Sequence, residues 1–279
     1  PSWIIGQKTR TIARLVPDNS TKSFRIEIVQ DAAPEEMEKI KSEGTATDSI
    51  RCPVDKKGNR IPPEMRTATA FNEIRGREGL RLWENEDLVP RPDDVLQERL
   101  YCIRWVDPET GEKRYRAPTQ ADLKREAEVL RLIKERFEDW QDKGFLPCRK
   151  IESGAETDRL ARERGWTYWH HLYNPRQLLM IGLFQELAAE VAKTPEVGAA
   201  LLLGIGRMAD WYSRLSKWDS SAANEKSSPS FYNQALNPLV TYASRSHLTL
   251  ITTWIMSLPV KTNSSNSEVI PVDARVTAH

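Results

Sequence analysis

The sequence predicts an α+β protein, in which a β-rich, loop-containing part over residues 1–117 precedes a helical part over residues 118–260. Three observations carry that reading. Apolar and polar residues alternate over 23–29, a turn-bearing hairpin is written into 99–116, and a capped helical stripe begins at Thr119. Residues 261–279 hold a linker composition and then the start of an unfinished segment.

Phe24, Ile26 and Ile28 alternate with polar neighbours, the period of a strand with one buried face. Over 99–106, Tyr101, Ile103 and Trp105 fall on one face and Leu100, Cys102 and Val106 on the other, so both faces are expected to be largely covered. Asp107-Pro108-Glu109-Thr110-Gly111 supplies a turn, and 112–116 can return as the partner strand. Between these elements, 52–98 holds prolines and few periodic apolar positions, the composition of a loop-rich insert.

From Thr119 to Lys143 the apolar residues Leu123, Ala127, Leu130, Ile133, Phe137 and Trp140 recur at helical spacing. Thr119 with Asp122 forms a capping box with Asp in place of Glu, and Gly144 sits where a helix-ending glycine belongs. Seven acidic and six basic residues share the opposite face, which reads as solvated rather than as a nucleic-acid surface. Asn174-Pro175-Arg176-Gln177 announces a second helix bearing Leu178, Leu179, Phe184, Leu187 and Val191. Thr194-Pro195-Glu196 announces a third that runs to about Trp218; its segment 197–206 is apolar all round and should be buried on every side. A further helical stretch over 230–242 must kink or break at Pro238.

Lys and Arg number 41 against 40 Asp and Glu, a net charge of +1 that removes any argument from a globally basic chain to nucleic acid or anionic membrane. A binding patch must be local. Of the two longest runs without a formal charge, 227–244 is too polar and carries two prolines and 246–260 is too short and too polar to span a bilayer, so a soluble protein with no membrane partner is expected. Three widely spaced cysteines, Cys52, Cys102 and Cys148, make no disulfide framework and fit a reducing, cytoplasmic compartment. No apolar signal segment opens the chain.

Catalytic constellations are missing, so no catalytic residue is assigned. There is no glycine-rich phosphate loop after a strand; Gly204-Ile205-Gly206 lies inside an apolar helical run, where close helix packing is the expected cause. His170 and His171 are adjacent and should diverge rather than share a metal. Cys52-Pro53-Val54-Asp55 is half a zinc knuckle without its second thiolate, and no metal ligand set is assigned. Neither Asn174-Pro175 nor Asn237-Pro238 is followed by the Pro-Tyr or Pro-Phe that completes an amino-methyltransferase motif.

The densest unusual feature is the string 164–176, in which Arg164, Trp166, Tyr168, Trp169, His170, His171, Tyr173 and Arg176 interleave aromatic and basic side chains ahead of a helix N-terminus. Such a string can stack on unpaired bases and meet phosphates; it can equally be a tryptophan-rich strap packing one helix on the next. Arg149, Lys150, Arg159 and Arg162 add positive charge nearby. Lys56, Lys57, Arg60, Arg66, Arg75, Arg77 and Arg81 do so in the insert, where seven basic residues face four acidic ones over 55–81. These two regions are the candidate phosphate-binding surface.

The run Gly79-Leu80-Arg81-Leu82-Trp83, with Phe71-Asn72-Glu73 before it and 90–101 after it, resembles the large adenine-specific DNA methylases that carry an internal zinc ribbon and often neighbour anti-phage genes. Residues 164–172, Asn174-Pro175-Arg176-Gln177-Leu178-Leu179, Ala222-Ala223-Asn224-Glu225-Lys226 and Phe231-Tyr232-Asn233-Gln234-Ala235-Leu236 share the resemblance, which covers nearly the whole chain. It implies the middle region of such an enzyme. Family members place a glycine-rich S-adenosylmethionine motif before it and Asp-Pro-Pro-Tyr after it, and 269–275 is similar to the segment leading into that motif. The resemblance therefore implies DNA recognition and scaffolding for methylation of adenine N6 or cytosine N4 within restriction-modification or anti-phage defence. S-adenosylmethionine would be bound by a catalytic portion or subunit outside this chain. The ribbon cysteine pair is incomplete at Cys52. An adaptor without a DNA role and one subunit of a split methyltransferase are the alternatives.

Overall fold

The computed structural model describes residues 2–18, 23–43, 49–50, 65–66, 76 and 79–230. Cys52, Lys56, Lys57, Arg60, Arg75 and Arg77, all but Ser230 of the kinked helix expected over 230–242, and the segment 261–279 lie outside the described residues.

The expected α+β class is observed, with antiparallel strands early and helices later. Strands β1 (Ser2–Gly6), β2 (Thr11–Asp18) and β3 (Ser23–Val29) form a meander in chain order with β2 at its centre. The third of these is the strand expected from the alternation. The first two were not expected, and their register explains why. Ile12 pairs with Ile4 and Val29 and faces helix α1 (Pro34–Glu43), against Ala32 and Met37. Its neighbour Ala13 faces the opposite way, into a cluster with Ile5 and Tyr115. A strand covered on both faces loses the apolar-polar alternation that marks a half-buried one.

Two short pairs follow the sheet. Strands β4 (Ser49–Ile50) and β5 (Met65–Arg66) pair with each other. Strands β6 (Ile103–Val106) and β7 (Lys113–Arg116) form the expected hairpin, with Trp105 opposite Arg114. Its turn is tied by the Asp107 carboxylate, which accepts the N–H groups of Glu109 and Thr110 at 2.9 and 2.8 Å. The hairpin's inner side carries buried Tyr115, but Trp105 and Val106 are exposed, so the expectation that both faces are covered fails.

Helix α2 (Gln120–Asp142) has the predicted Thr119/Asp122 capping box, and Gly144 follows with φ +74°. Asp122 also takes Arg116 and Arg125, and the hydrogen bonds from Arg116 and then from Thr119 hold its carboxyl far below the usual carboxylate range. The buried stripe is Val129, Ile133, Phe137 and Trp140, whereas Leu123 and Ala127 are exposed. Helix α3 (Asp158–Arg164) is short, and helix α4 (Pro175–Val191) carries the Asn174/Gln177 capping box. Helices α2 and α4 lie side by side: Arg176 pairs with Glu126, and the Trp140 indole lies so close to Gly182 that any Cβ there would collide with the ring.

Helix α5 (Pro195–Asp210) departs most from expectation. It ends at Asp210 rather than near 218, because Ser230 donates from its N–H and its hydroxyl to the Asp210 carbonyl at 2.6 and 2.5 Å, and the chain turns to bury Arg214. Ile205 and Met208 enter the core, while Val197, Leu202 and Leu203 are exposed; α4 likewise exposes Leu183, Leu187 and Val191. A Cβ added at Gly204 or Gly206 would meet nothing within 4 Å, so close helix packing does not account for them.

After α5 the chain returns to the first sheet through the paired strands β8 (Trp218–Asp219) and β9 (Lys226–Ser227). The Trp218 indole N–H donates to the Ile5 carbonyl at 2.7 Å. Fully buried Glu225 accepts the Thr9 N–H at 2.9 Å and the Tyr115 hydroxyl at 3.1 Å. Residues more than 200 positions apart are thereby locked together.

Candidate nucleic-acid interface

The string 164–176 begins where α3 stops. Gly165, with φ +77°, lies so close to the Arg81 carbonyl that a Cβ would overlap it, and its own carbonyl accepts the Trp83 N–H at 2.7 Å. Only glycine meets both demands. Trp166 is then laid inward, edge to face with Trp83 at a centroid separation of 6.5 Å. The guanidinium of Arg214 sits 5.4 Å from the Trp83 ring and 5.8 Å from the Trp166 ring. It donates to the carbonyls of Leu88 (3.0 Å), His171 (2.8 Å) and Tyr173, and to both carboxylate oxygens of Glu98 at 2.5 and 2.8 Å.

His170 and His171 lie on a 3-10 turn, Trp169–Leu172, and both are buried. They do not diverge; their rings meet edge to face at 4.3 Å. The Nδ1 atom of His171 accepts the N–H groups of Thr167 and Tyr168 at 3.1 and 3.2 Å, so its Nε2 must carry the proton, which it donates to the Glu84 carbonyl at 3.0 Å. Burial, then the neighbouring His170 and Arg214, push its pKa down to about 3. Burial also pushes His170 down to about 4, opposed by the carbonyls of Asn85 and Pro147, although no acceptor meets either ring nitrogen with good hydrogen-bond geometry. Both rings are neutral at neutral pH. Among the described residues no group of three or more His, Cys, Asp or Glu is placed to hold a metal.

Between Trp166 and His170 the chain comes to the surface. An isolated antiparallel bridge joins Lys150 to Tyr168, reinforced by N–H donation from Ile151 to Thr167 at 2.8 Å and from Trp169 to Arg149 at 3.2 Å. The Lys150 ammonium lies 5.8 Å from the Tyr168 ring centre. Arg149 and Lys150 are exposed, and Trp169 is 37% exposed. The bridge therefore sets Lys150 against half-buried Tyr168 and brings exposed Arg149 and Trp169 side by side on adjoining strands, residue types suited to phosphates and base faces.

The other candidate residues are placed differently. Trp166 (6% exposed) and His170 are interior packing, where neither offers a face to a ligand. The guanidinium of Arg81 is bidentate to Asp94, both bonds 2.7 Å, and also donates to Asp87 at 2.6 Å; Arg91 completes the knot through Asp87 at 2.8 Å. Arg176 is paired with Glu126, Arg164 lies over Trp166, and exposed Arg162 stands 3.5 Å from Glu163. The residues that organise the region, Glu98, Arg214 and Glu225, were not singled out from sequence. The strings 90–101 and 222–226 contain two of them, whereas nothing around Arg214 signals its role. Cys102 is half-buried and its thiol is pushed up to about 12 by burial, which makes it inert as a nucleophile. No helix among the described residues is long and apolar enough to cross a membrane.

No protein-family model, curated protein or solved structure matches this chain.

Proposed function

We propose that this chain is the DNA-recognition and scaffolding region of an S-adenosylmethionine-dependent DNA amino-methyltransferase acting on adenine N6 or cytosine N4, its target base reached by flipping. Its partners are DNA and a catalytic portion or subunit, and its setting is cytoplasmic restriction-modification or anti-phage defence. The observation that carries the reading is the bridge that brings exposed Arg149 and Lys150 beside Tyr168 and exposed Trp169, the last two within one of the strings that resemble the methylases. At the β3–α1 connection, Gln30, Asp31, Ala32 and Ala33 offer no glycine to cradle the cofactor, and the reading assigns binding of the methyl donor to the partner.

The test is a titration of labelled duplex DNA across a salt series. Each of Arg149→Ala and Lys150→Ala should reduce the logarithmic salt slope by roughly one unit while costing no more than about 1 kcal/mol of stability. Wild-type protein that binds no duplex at low salt would overturn the reading. In its place would stand an adaptor or a subunit of a split enzyme, which the exposed aliphatic residues Leu183, Leu187, Val191, Leu202 and Leu203 favour.

A further inference from the structure

The β6–β7 hairpin has two unlike faces. Tyr115 turns inward to bond Glu225, while Arg104 covers Trp218 and donates to the Glu225 carbonyl. The outer face carries Ile103 and Trp105 on one strand with Arg116 and Arg114 opposite them. Trp105 is 56% exposed, so the hairpin does not use it for docking. Arg116 lies over its indole, 5.5 Å from the ring centre, and exposed Arg114 is its direct cross-strand neighbour. Arg125 joins the same edge through Asp122, the carboxylate it shares with Arg116. Arg116 and Arg114 thus flank one open indole, with Arg125 on the carboxylate that Arg116 shares, and Glu112, Asp107 and the buried Asp122 stand against these guanidinium groups.

We infer that this outer face is a second nucleic-acid contact, at which Trp105 stacks on an unpaired base while Arg114, Arg116 and Arg125 face the flanking phosphates. The inference rests on the DNA-recognition reading above and adds to it a preference for unpaired bases. A two-stranded ribbon fits a nucleic-acid groove, and an aromatic face accepts any base. Arg114 and Arg125, each 68% exposed where Asp122 is 8% exposed, offer guanidinium faces to an anionic partner. Helix α2 alone, 23 residues and roughly 34 Å long, separates the hairpin end from the Arg149 surface, so variants at the two places act independently.

The experiment compares wild type, Trp105→Ala, Trp105→Phe and Arg114→Ala on a duplex of roughly 20 base pairs, about two turns, and on the same duplex with one centrally unpaired thymine. Wild type should prefer the second probe. Trp105→Ala should lose roughly tenfold on it and under about twofold on the paired duplex, with Trp105→Phe restoring most of the loss. Arg114→Ala should weaken both probes equally and flatten the salt slope. Wild-type binding to both probes that Trp105→Ala leaves unchanged would overturn this inference alone, whereas absence of wild-type binding to either would overturn the DNA-recognition reading with it. A fall in melting temperature for both Trp105→Ala and Trp105→Phe would assign the indole to the fold instead and equally defeat the inference.

Discussion

Trp166 and Trp169 stand three residues apart in one aromatic string, yet the first belongs to the interior and the second to the surface. Trp166 is clamped with Trp83 around Arg214, whose donors go to three backbone carbonyls and a carboxylate. Trp169 is 37% exposed, and its backbone N–H donates to the Arg149 carbonyl. The difference shows that residue type sets what a side chain can do, whereas its backbone partner decides whether it is available. Gly165 steers one tryptophan inward, and the Lys150–Tyr168 bridge delivers the other outward.

The largest effect is expected at the centre of the buried half. Arg214→Ala would leave the carbonyls of Leu88, His171 and Tyr173 without their donor and Glu98 without its bidentate partner. A loss of about 3–5 kcal/mol in urea unfolding is expected, because a buried ionic group is broken on one side only. A loss under about 1 kcal/mol would show that the aromatic clamp stands without its cation. Trp166→Ala comes next, at about 3 kcal/mol from lost burial and the cavity it leaves.

Proton linkage offers a third way to probe the same half. In the unfolded chain both imidazoles titrate near 6.5, and in the fold His170 is held at about 4 and His171 at about 3. Between those values the unfolded chain binds more protons, so stability falls as pH drops from about 6.5 toward 4, by up to about 1.4 kcal/mol per pH unit for each ring. His171→Gln should flatten that dependence measurably in urea titrations at pH 7 and pH 5. An unchanged slope would mean that the ring is open to solvent.

Local signals made the helical half legible, and long-range partners hid the rest. The caps of α2, α4 and α5 lie within four residues of their own sequence, and all three were found there. The inner and outer sides of α4 and α5 were not, because apolarity states what a helix can bury without stating what covers it; Leu203 is 77% exposed in a segment expected to be enclosed. Strand β2 was missed because Ile12 and Ala13 are both fully buried on opposite faces. Arg214 was unreadable for a related reason. Its acceptors are carbonyls and a carboxylate more than 40 positions away, and a carbonyl carries no residue-type signature.

The smallest stability effect, and the sharpest test of the contrast, is expected from Trp169→Ala. Its backbone N–H to Arg149 survives truncation of the side chain, and the indole is exposed beyond a third of its surface, so unfolding free energy should change by no more than about 1 kcal/mol. The Lys150–Tyr168 contact next to it, worth about 0.5–1 kcal/mol at an exposed site, should persist. Because that bridge holds Arg149 and Lys150 in place, duplex binding should keep its salt slope while affinity for DNA with unpaired bases falls. A destabilisation matching that of Trp166→Ala would place both tryptophans in one packing unit. The string would then be a strap throughout, leaving the hairpin around Trp105 as the remaining aromatic surface for a base.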